Sequence, residues 1–125
     1  MLRHVKFTNL PVSDQDRALA FYRDRLGMTV ATDEAYGGDW RWIELTLPDA
    51  QTRIVFTRRE GKAPSTEPIL NLICDNVDET CRDLVDKGVL FHQEPTDAPW
   101  RAGERYALFR DSEGNLVMLG SAQPA

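Results

Sequence analysis

Cysteine and histidine are both scarce in this sequence, with two of each among 125 residues. Cys74 and Cys81 are too few for a disulfide framework, and neither their number nor their setting indicates a zinc site. Free thiols persist in a reducing compartment, so the sequence predicts a cytoplasmic protein that is held together by its packed core.

Long apolar runs and a basic excess are absent as well. No stretch approaches the roughly 20 apolar residues that a membrane-spanning helix needs, and the amino terminus shows no apolar signal region. The formal net charge of −5 disfavours nucleic acids and anionic membranes as partners. The chain does have an ordinary globular composition, with 42% hydrophobic and 28% charged residues, and the length of one domain.

The first half of the chain reads as a strand, a helix and three further strands. Residues 4–12 have strand character, Asp14 is a good N-cap for the following helix, and Gly27 is placed to end that helix. An apolar stripe at helical spacing supports it, formed by Ala18, Leu19, Phe21, Tyr22 and Leu26. The later strands are predicted over residues 28–32, 40–47 and 52–58.

The second half repeats this order. A strand over 69–74 precedes a helix that begins at Asp75 or Asn76, runs to about residue 87 and ends at Gly88. Its apolar face is predicted to contain Val77, Cys81, Leu84 and Val85. The later strands are predicted over residues 89–93, 105–110 and 116–120. Asp14 and Gly27 are separated by the same interval as Asp75 and Gly88, which indicates an internal duplication.

The duplication predicts an α+β fold with two βαβββ modules. We expect a single domain over residues 1–125, with one module over about 1–59, a polar linker over 60–67 and a second module over about 68–121. The two curved mixed sheets are expected to form a cup with the helices outside.

Several short motifs fit a known family over roughly residues 4–121. They are Pro11-Val-Ser-Asp, Phe21-Tyr22, Leu26-Gly27, Trp42-Ile-Glu-Leu and Asp111-Ser-Glu-Gly. The chain resembles the glyoxalase / bleomycin-resistance / extradiol-dioxygenase proteins, the vicinal-oxygen-chelate superfamily. The resemblance implies a homodimer, and it leaves open whether the two modules close one cup within a chain or exchange across the dimer.

The resemblance also locates the positions at which metal-using members carry their ligands. Those positions are Phe7, Glu44, Ile69 and Met118, and among them only Glu44 is a typical ligand of divalent ions. His4 has the wrong strand parity to replace Phe7, and His92 lies away from these positions. One carboxylate does not hold a catalytic metal, so we expect neither a metal nor any other cofactor.

Strand alternation predicts which side chains line the cup instead. If Phe7 and Glu44 point inward, so do Val5, Ile73 and Leu116. Trp100 and Tyr36 lie in segments that are placed to close over the mouth. The predicted ligand-binding residues are Phe7, Asn9, Tyr36, Trp40, Trp42, Glu44, Ile69, Asn71, Trp100 and Met118. An aromatic and aliphatic cavity of this kind suits a large, partly aromatic molecule.

Three polar side chains among these residues need partners. The amides of Asn9 and Asn71, if they point inward from central strands, must be hydrogen-bonded. Burial would raise the pKa of Glu44 unless a cation pairs with it. The cation is either an arginine of a neighbouring strand or a cationic group of the ligand, and the candidate arginines are Arg53, Arg105 and Arg110.

The sequence therefore favours metal-independent binding of an aromatic natural product or drug, as in antibiotic self-resistance by sequestration. The alternative is a metal-free isomerase, epimerase or cyclase of natural-product biosynthesis that uses Glu44 as general base. His92 and Tyr106 are the only candidates for its partner acid. A third alternative is a closed scaffold without a small-molecule ligand.

Overall fold

The two halves of the sequence form two compact units in the computed structural model, which describes residues 1–61 and 63–122. Unit 1 is Met1–Lys62 and unit 2 is Ala63–Ala125. Lys62 of the predicted linker and residues 123–125 of the predicted domain lie outside the described residues. Each unit contains a four-stranded mixed sheet, which confirms the α+β class with two modules.

Unit 1 places its first and last strands side by side. The strands are β1 (Phe7–Val12), β2 (Thr29–Gly37), β3 (Trp40–Thr46) and β4 (Arg53–Arg58). Their order in the sheet is β1-β4-β3-β2, in which β1 and β4 are parallel and the other neighbours are antiparallel. The parallel pair is feasible because a helix and two strands separate β1 from β4 along the chain.

The first helix, α1 (Gln15–Leu19), begins at the predicted cap. The Asp14 carboxylate accepts a hydrogen bond from the backbone N–H of Arg17 at 3.0 Å. This bond satisfies one of the N–H groups of the first turn that have no acceptor within the helix. The side chain of Gln15 ties the helix to β3, because it accepts from the Arg41 N–H at 3.1 Å and donates to the Arg41 carbonyl at 2.7 Å.

The predicted helix is present as far as Arg25, but only its first part is α-helical. The helix continues as a π-helical segment, Ala20–Arg25, in which the Leu26 N–H reaches back five residues to the Phe21 carbonyl at 3.1 Å. Gly27 then ends it in the left-handed conformation, with a φ of 78°. Apolar spacing alone does not separate this wider turn from an α-helical one.

The core of unit 1 lies between this helix and one face of the sheet. Tyr22 contacts Phe56 of β4 at a ring-centroid distance of 6.1 Å, so the face that contains Phe56 is the helix side. Because side chains alternate along a strand, every second residue of β4, and the residues of β1 and β3 that pair with these, lie on the same side as Phe56. The buried strand residues of this side are Leu10, Val12, Ile43, Leu45, Ile54 and Phe56.

Unit 2 repeats the topology. Its elements are β5 (Leu70–Cys74), α2 (Val77–Asp86), β6 (Phe91–Asp97), β7 (Arg105–Arg110) and β8 (Leu116–Ser121). The sheet order is β5-β8-β7-β6, again with one parallel pair, β5 and β8. The strand residues Leu70, Ala107, Phe109, Val117 and Leu119 are buried, as are three residues of the helix.

The cap of α2 is Asn76, whose side-chain oxygen accepts the Glu79 N–H at 2.9 Å. Of the residues on the predicted apolar face, Val77, Cys81 and Leu84 are buried, whereas Val85 is 53% exposed. At 3.6 residues per turn Val85 lies about 80° around the helix from Val77, at the edge of the apolar stripe.

Strand boundaries differ from the predictions mainly at the sheet edges. β1 starts at Phe7 rather than at residue 4, which leaves Val5 before the strand and 63% exposed. β2 extends to Gly37 and β6 to Asp97, further than predicted. Both are edge strands, where polar residues are tolerated, and a register shift in β6 surrounds Pro95. Within residues 1–61 and 63–122, none of the helices has the length and apolarity needed to cross a bilayer.

Candidate functional site

The sheet face opposite the helix, called the open face of each unit below, contains most of the predicted site. In unit 1, Asn9 of β1 pairs with Val55 of β4, and Val55 pairs with Glu44 of β3. Paired residues share a face, so Glu44, Trp42 and Phe7 belong to the side that alternates away from Phe56. This register is what brings an aromatic cluster and a carboxylate together.

Three aromatic rings meet on the open face of unit 1. Trp42 contacts Phe7 edge to face, with ring centroids 5.7 Å apart and planes at 76°. The Tyr36 ring lies 5.6 Å from the Trp42 ring, with planes at 37°. Trp42 is half-buried, whereas Tyr36 is 72% exposed. The cluster therefore presents aromatic surface while its central ring stays fixed by neighbours.

The indole N–H of Trp42 is already bonded within the protein. It donates to Glu44 Oε2 at 2.7 Å, and the other oxygen of Glu44 accepts from Arg53 Nη1 at 2.8 Å. Glu44 is buried, with 9% of the residue exposed. Of the three candidate arginines, Arg53 is thus the partner of this carboxylate. Trp42, Glu44 and Arg53 form a continuous chain of charge-assisted hydrogen bonds.

This chain holds the pKa of Glu44 below its ordinary value of 4.5, mainly because Trp42 and then Arg53 donate to the carboxylate. Burial acts in the opposite direction and is outweighed. Glu44 therefore does not show the raised pKa that burial would cause in an unpaired carboxylate. Arg105 is held instead by Asp78 at 2.7 Å and Asp97 at 2.9 Å.

The lowered pKa of Glu44 predicts an acid-sensitive contribution to stability. The pair stabilises the fold above the unfolded-state pKa of Glu44, and this contribution is lost as the pH falls through the lower folded-state pKa. Between about pH 7 and about pH 3, Glu44→Gln should therefore lose less stability than the parent protein. Urea midpoints across that range measure the difference. The control is Glu67→Gln at an exposed position, whose urea midpoint should fall with pH as steeply as that of the parent protein. If the midpoint of Glu44→Gln fell equally steeply, the pairing of Glu44 with Arg53 would be contradicted.

Trp40 stands apart from the aromatic cluster. The Arg58 guanidinium lies over its ring at 4.5 Å, and Arg58 also donates to Asp39 at 2.8 Å. One face of the Trp40 ring is therefore covered by a cation from its own unit. Sequence reasoning did not foresee this contact, because it depends on where the end of β4 lies relative to the start of β3.

The open face of unit 2 contains a half-open groove of about 390 Å³. Ile73, Trp100, Glu104 and Met118 are among its lining residues. The register aligns Ile73 with Gly120, and a Cβ at Gly120 would lie 3.7 Å from Cδ1 of Ile73. The groove thus joins two predicted site residues, Trp100 and Met118, to Ile73, which strand alternation predicts on the same face as Met118.

Trp100 is anchored in the same manner as Trp42. Its indole N–H donates to Glu104 Oε2 at 3.0 Å, and its ring lies 4.8 Å from the ring of Tyr106. Glu104 is buried at 9% exposure, whereas Trp100 is 55% exposed. Tyr106, a candidate acid in the enzyme alternative, supports an aromatic ring here. His92 is exposed on β6.

The remaining predicted residues are less engaged. Asn9 and Asn71 are exposed rather than buried, so the argument that their amides require a protein or ligand partner is wrong. Its premise was a central strand, but β1 and β5 are edge strands of their sheets. Ile69 is half-buried just before β5, where its N–H donates to the Leu116 carbonyl.

The donor set does not fit a metal ion. At the positions that the family resemblance indicates, Phe7 and Ile69 offer no ligand, Met118 offers only a thioether, and both oxygens of Glu44 accept hydrogen bonds from Trp42 and Arg53. Across the described part of the chain, no group of three or more histidine, cysteine, aspartate or glutamate side chains is close enough to hold one.

The fold and the open faces define a protein of two βαβββ modules, each with aromatic side chains on its open face. Comparison with known families agrees with the fold, because the model described as Glyoxalase/Bleomycin resistance protein/Dioxygenase superfamily matches residues 2–119. The chain belongs to this superfamily, which confirms the resemblance that its motifs showed.

Individual relatives cover nearly the whole chain. TnmS3, an antibiotic binding protein from Streptomyces sp. CB03234, is 31% identical with a TM-score of 0.83 over 98% of both chains. A superfamily member from Sphaerobacter thermophilus DSM 20745 is 29% identical with a TM-score of 0.84, over 97% of this chain and 98% of that one. YraH, an uncharacterized protein of Bacillus subtilis (strain 168), is 32% identical over 120 residues, which are 88% of this chain and 91% of YraH.

Proposed function

We propose that this protein binds a bulky, partly aromatic small molecule without a metal, and that it serves to sequester a drug or natural product. The observation that carries the proposal is the state of Trp42 and Trp100. Both rings are partly exposed on an open face, and both have their N–H groups bonded to a buried carboxylate. Such rings offer flat apolar surface rather than a polar edge.

Stacking on such surfaces supplies affinity for an aromatic ligand. Each aromatic contact adds about 0.5–1.5 kcal/mol beyond the apolar area that it buries. The groove beside Trp100, at about 390 Å³, lies within the range of small-molecule sites. The similarity to TnmS3, which is described as an antibiotic binding protein, supports the same class of ligand.

The alternative of a metal-free enzyme has less support. A general base at neutral pH benefits from a pKa near the working pH, whereas the pKa of Glu44 is lowered by Trp42 and Arg53. Both of its oxygens are also engaged, so a substrate proton would compete with two existing donors.

Two further elements belong to the proposal. We expect a homodimer, which the family resemblance implies, and sedimentation velocity measures it directly. We also expect the protein to act in the cytoplasm, in keeping with free Cys74 and Cys81.

The proposed function predicts saturable quenching of tryptophan fluorescence by aromatic antibiotics in the presence of a chelator. The panel contains bleomycins, an enediyne and alizarin, a dihydroxyanthraquinone. Recovery of unchanged compound after saturation supports sequestration, because a binding protein releases its ligand without chemical modification. Recovery of a modified compound would replace the proposal with an enzymatic function, and quenching that requires added divalent metal would overturn metal independence.

A further inference from the structure

We propose that Glu104 is a positioning residue, which holds the Trp100 ring against the groove of unit 2 so that its face can stack on a flat aromatic ring. The binding part of this inference rests on the proposed function. The positioning part rests on the geometry of the loop between β6 and β7 and is tested separately.

The loop offers Trp100 little restraint of its own. Its ends are joined by one backbone hydrogen bond, from the Ala98 N–H to the Glu104 carbonyl at 2.9 Å, and a second closes a turn from the Glu104 N–H to the Arg101 carbonyl at 3.3 Å. An indole that is 55% exposed on such a loop would ordinarily sample several rotamers.

Two contacts restrict the ring to one orientation. Glu104 Oε2 accepts the indole N–H at 3.0 Å, and the Tyr106 ring lies against the indole at 4.8 Å with planes at 45°. The hydrogen bond fixes one edge of the indole, and the Tyr106 contact restricts rotation about that edge. The remaining exposed surface of Trp100 lines the groove with Ile73 and Met118.

Glu104 is suited to this role because it is itself fixed. It is 9% exposed, and its second oxygen lies 3.7 Å from Arg101 Nε. A buried carboxylate that accepts from a neutral N–H makes a stronger bond than a neutral acceptor would. An exposed aromatic ring is therefore anchored by a side chain that has little freedom.

The open face of unit 1 uses the same device at a different place in the module. Trp42 lies within β3, whereas Trp100 precedes β7, the corresponding strand of unit 2. In both, a buried glutamate accepts the indole N–H and an arginine lies near the other carboxylate oxygen. The internal duplication does not by itself explain this repetition, because the two tryptophans occupy different positions in their modules.

The chemistry of the ligand follows from the anchored edge. The N–H of Trp100 is committed to Glu104, so the ring contributes a π face and no hydrogen-bond donor. We infer that the groove takes a flat aromatic ring that needs no acceptor atom opposite the indole edge. Alizarin, a planar three-ring molecule, is the probe of choice.

The first experiment measures the mobility of Trp100 and needs no ligand. In a Trp40→Phe, Trp42→Phe background Trp100 is the only tryptophan, and its time-resolved fluorescence anisotropy reports motion of that ring. Glu104→Ala should increase the fast, local part of the anisotropy decay. Glu104→Gln keeps a carbonyl acceptor and should restore most of the restraint. Glu67→Ala, an exposed glutamate, should change nothing.

Glu104→Asp covers the case in which Glu104→Ala does not fold. It keeps the charge but withdraws the acceptor by one methylene, so ring motion should increase with less disturbance of the core. Unchanged local motion in both Glu104→Ala and Glu104→Asp would overturn the positioning role.

The second experiment measures alizarin binding with all three tryptophans present. Glu104→Ala should weaken binding about three- to tenfold, and Glu104→Gln should remain within about twofold of the parent protein. A freed ring with unchanged affinity would overturn the link between position and binding. If the parent protein binds neither alizarin nor any antibiotic of the panel, the proposed function fails, while the anisotropy still decides whether Glu104 holds the ring.

Discussion

Replacing Asp111 with alanine should lower the free energy of unfolding by about 3 kcal/mol. The buried Asp111 carboxylate organises the turn between β7 and β8. Its Oδ1 accepts the backbone N–H groups of Glu113 and Asn115, both at 2.8 Å, and its Oδ2 accepts the Asn115 side-chain amide at 3.0 Å. Alanine removes the acceptor from donors that stay inside the protein, at a cost of about 1–3 kcal/mol for each group left unsatisfied. Urea denaturation followed by circular dichroism measures the loss.

Asp111→Asn is the matched variant for this prediction. It keeps one carbonyl oxygen and the size of the side chain, so it should cost clearly less than alanine. The exposed Asp86→Ala should stay within about 0.5 kcal/mol of the parent protein. If Asp111→Ala left the urea midpoint unchanged, the turn would not depend on these hydrogen bonds.

Replacing Trp42 with alanine should weaken the binding of aromatic antibiotics to the open face of unit 1 by about 2 kcal/mol, or about 30-fold. The substitution removes the central ring of the aromatic cluster, which Phe7 and Tyr36 contact at 5.7 and 5.6 Å. It also removes the donor to Glu44, but Arg53 remains to pair with that carboxylate, so the protein should stay folded. Fluorescence quenching of the remaining tryptophans gives the affinity, and circular dichroism checks the fold.

Trp40→Ala is the control for Trp42→Ala, and it should weaken binding by less than about 1 kcal/mol. The residues are two apart on one strand and have the same chemistry, but the Arg58 guanidinium already covers one face of the Trp40 ring at 4.5 Å. If Trp40→Ala lost more affinity than Trp42→Ala, the ligand would stack mainly on Trp40 and the prediction would fail. Equal affinities for both variants and the parent would place the ligand elsewhere.

The features that the sequence predicts well are those that depend on near neighbours in the chain. Asp14 caps α1 through Arg17, three residues on, and Gly27 ends the helical segment. The equivalent signals at Asn76 and Gly88 bound α2. Caps and C-terminal glycines act over a few residues, so the duplicated βαβββ order is readable without a structure.

The features that depend on pairing between distant parts of the chain are harder to predict from the sequence. The sequence leaves three arginines as partners of Glu44, and only the register of β3 against β4 selects Arg53. Trp42 and Glu44 share a face because they are two apart on a strand, so their hydrogen bond was within reach of the strand pattern. The bond from Trp100 to Glu104 was not, because it follows from the path of a loop.

The anchored indoles also bear on the entropy of recognition. A flexible aromatic side chain loses about 0.5–1.5 kcal/mol of rotamer freedom when a ligand immobilises it. Trp42 and Trp100 give up that freedom when the chain folds, through their bonds to Glu44 and Glu104. A molecule that stacks on them meets surfaces that are already ordered, so its affinity is not reduced by the cost of arranging them.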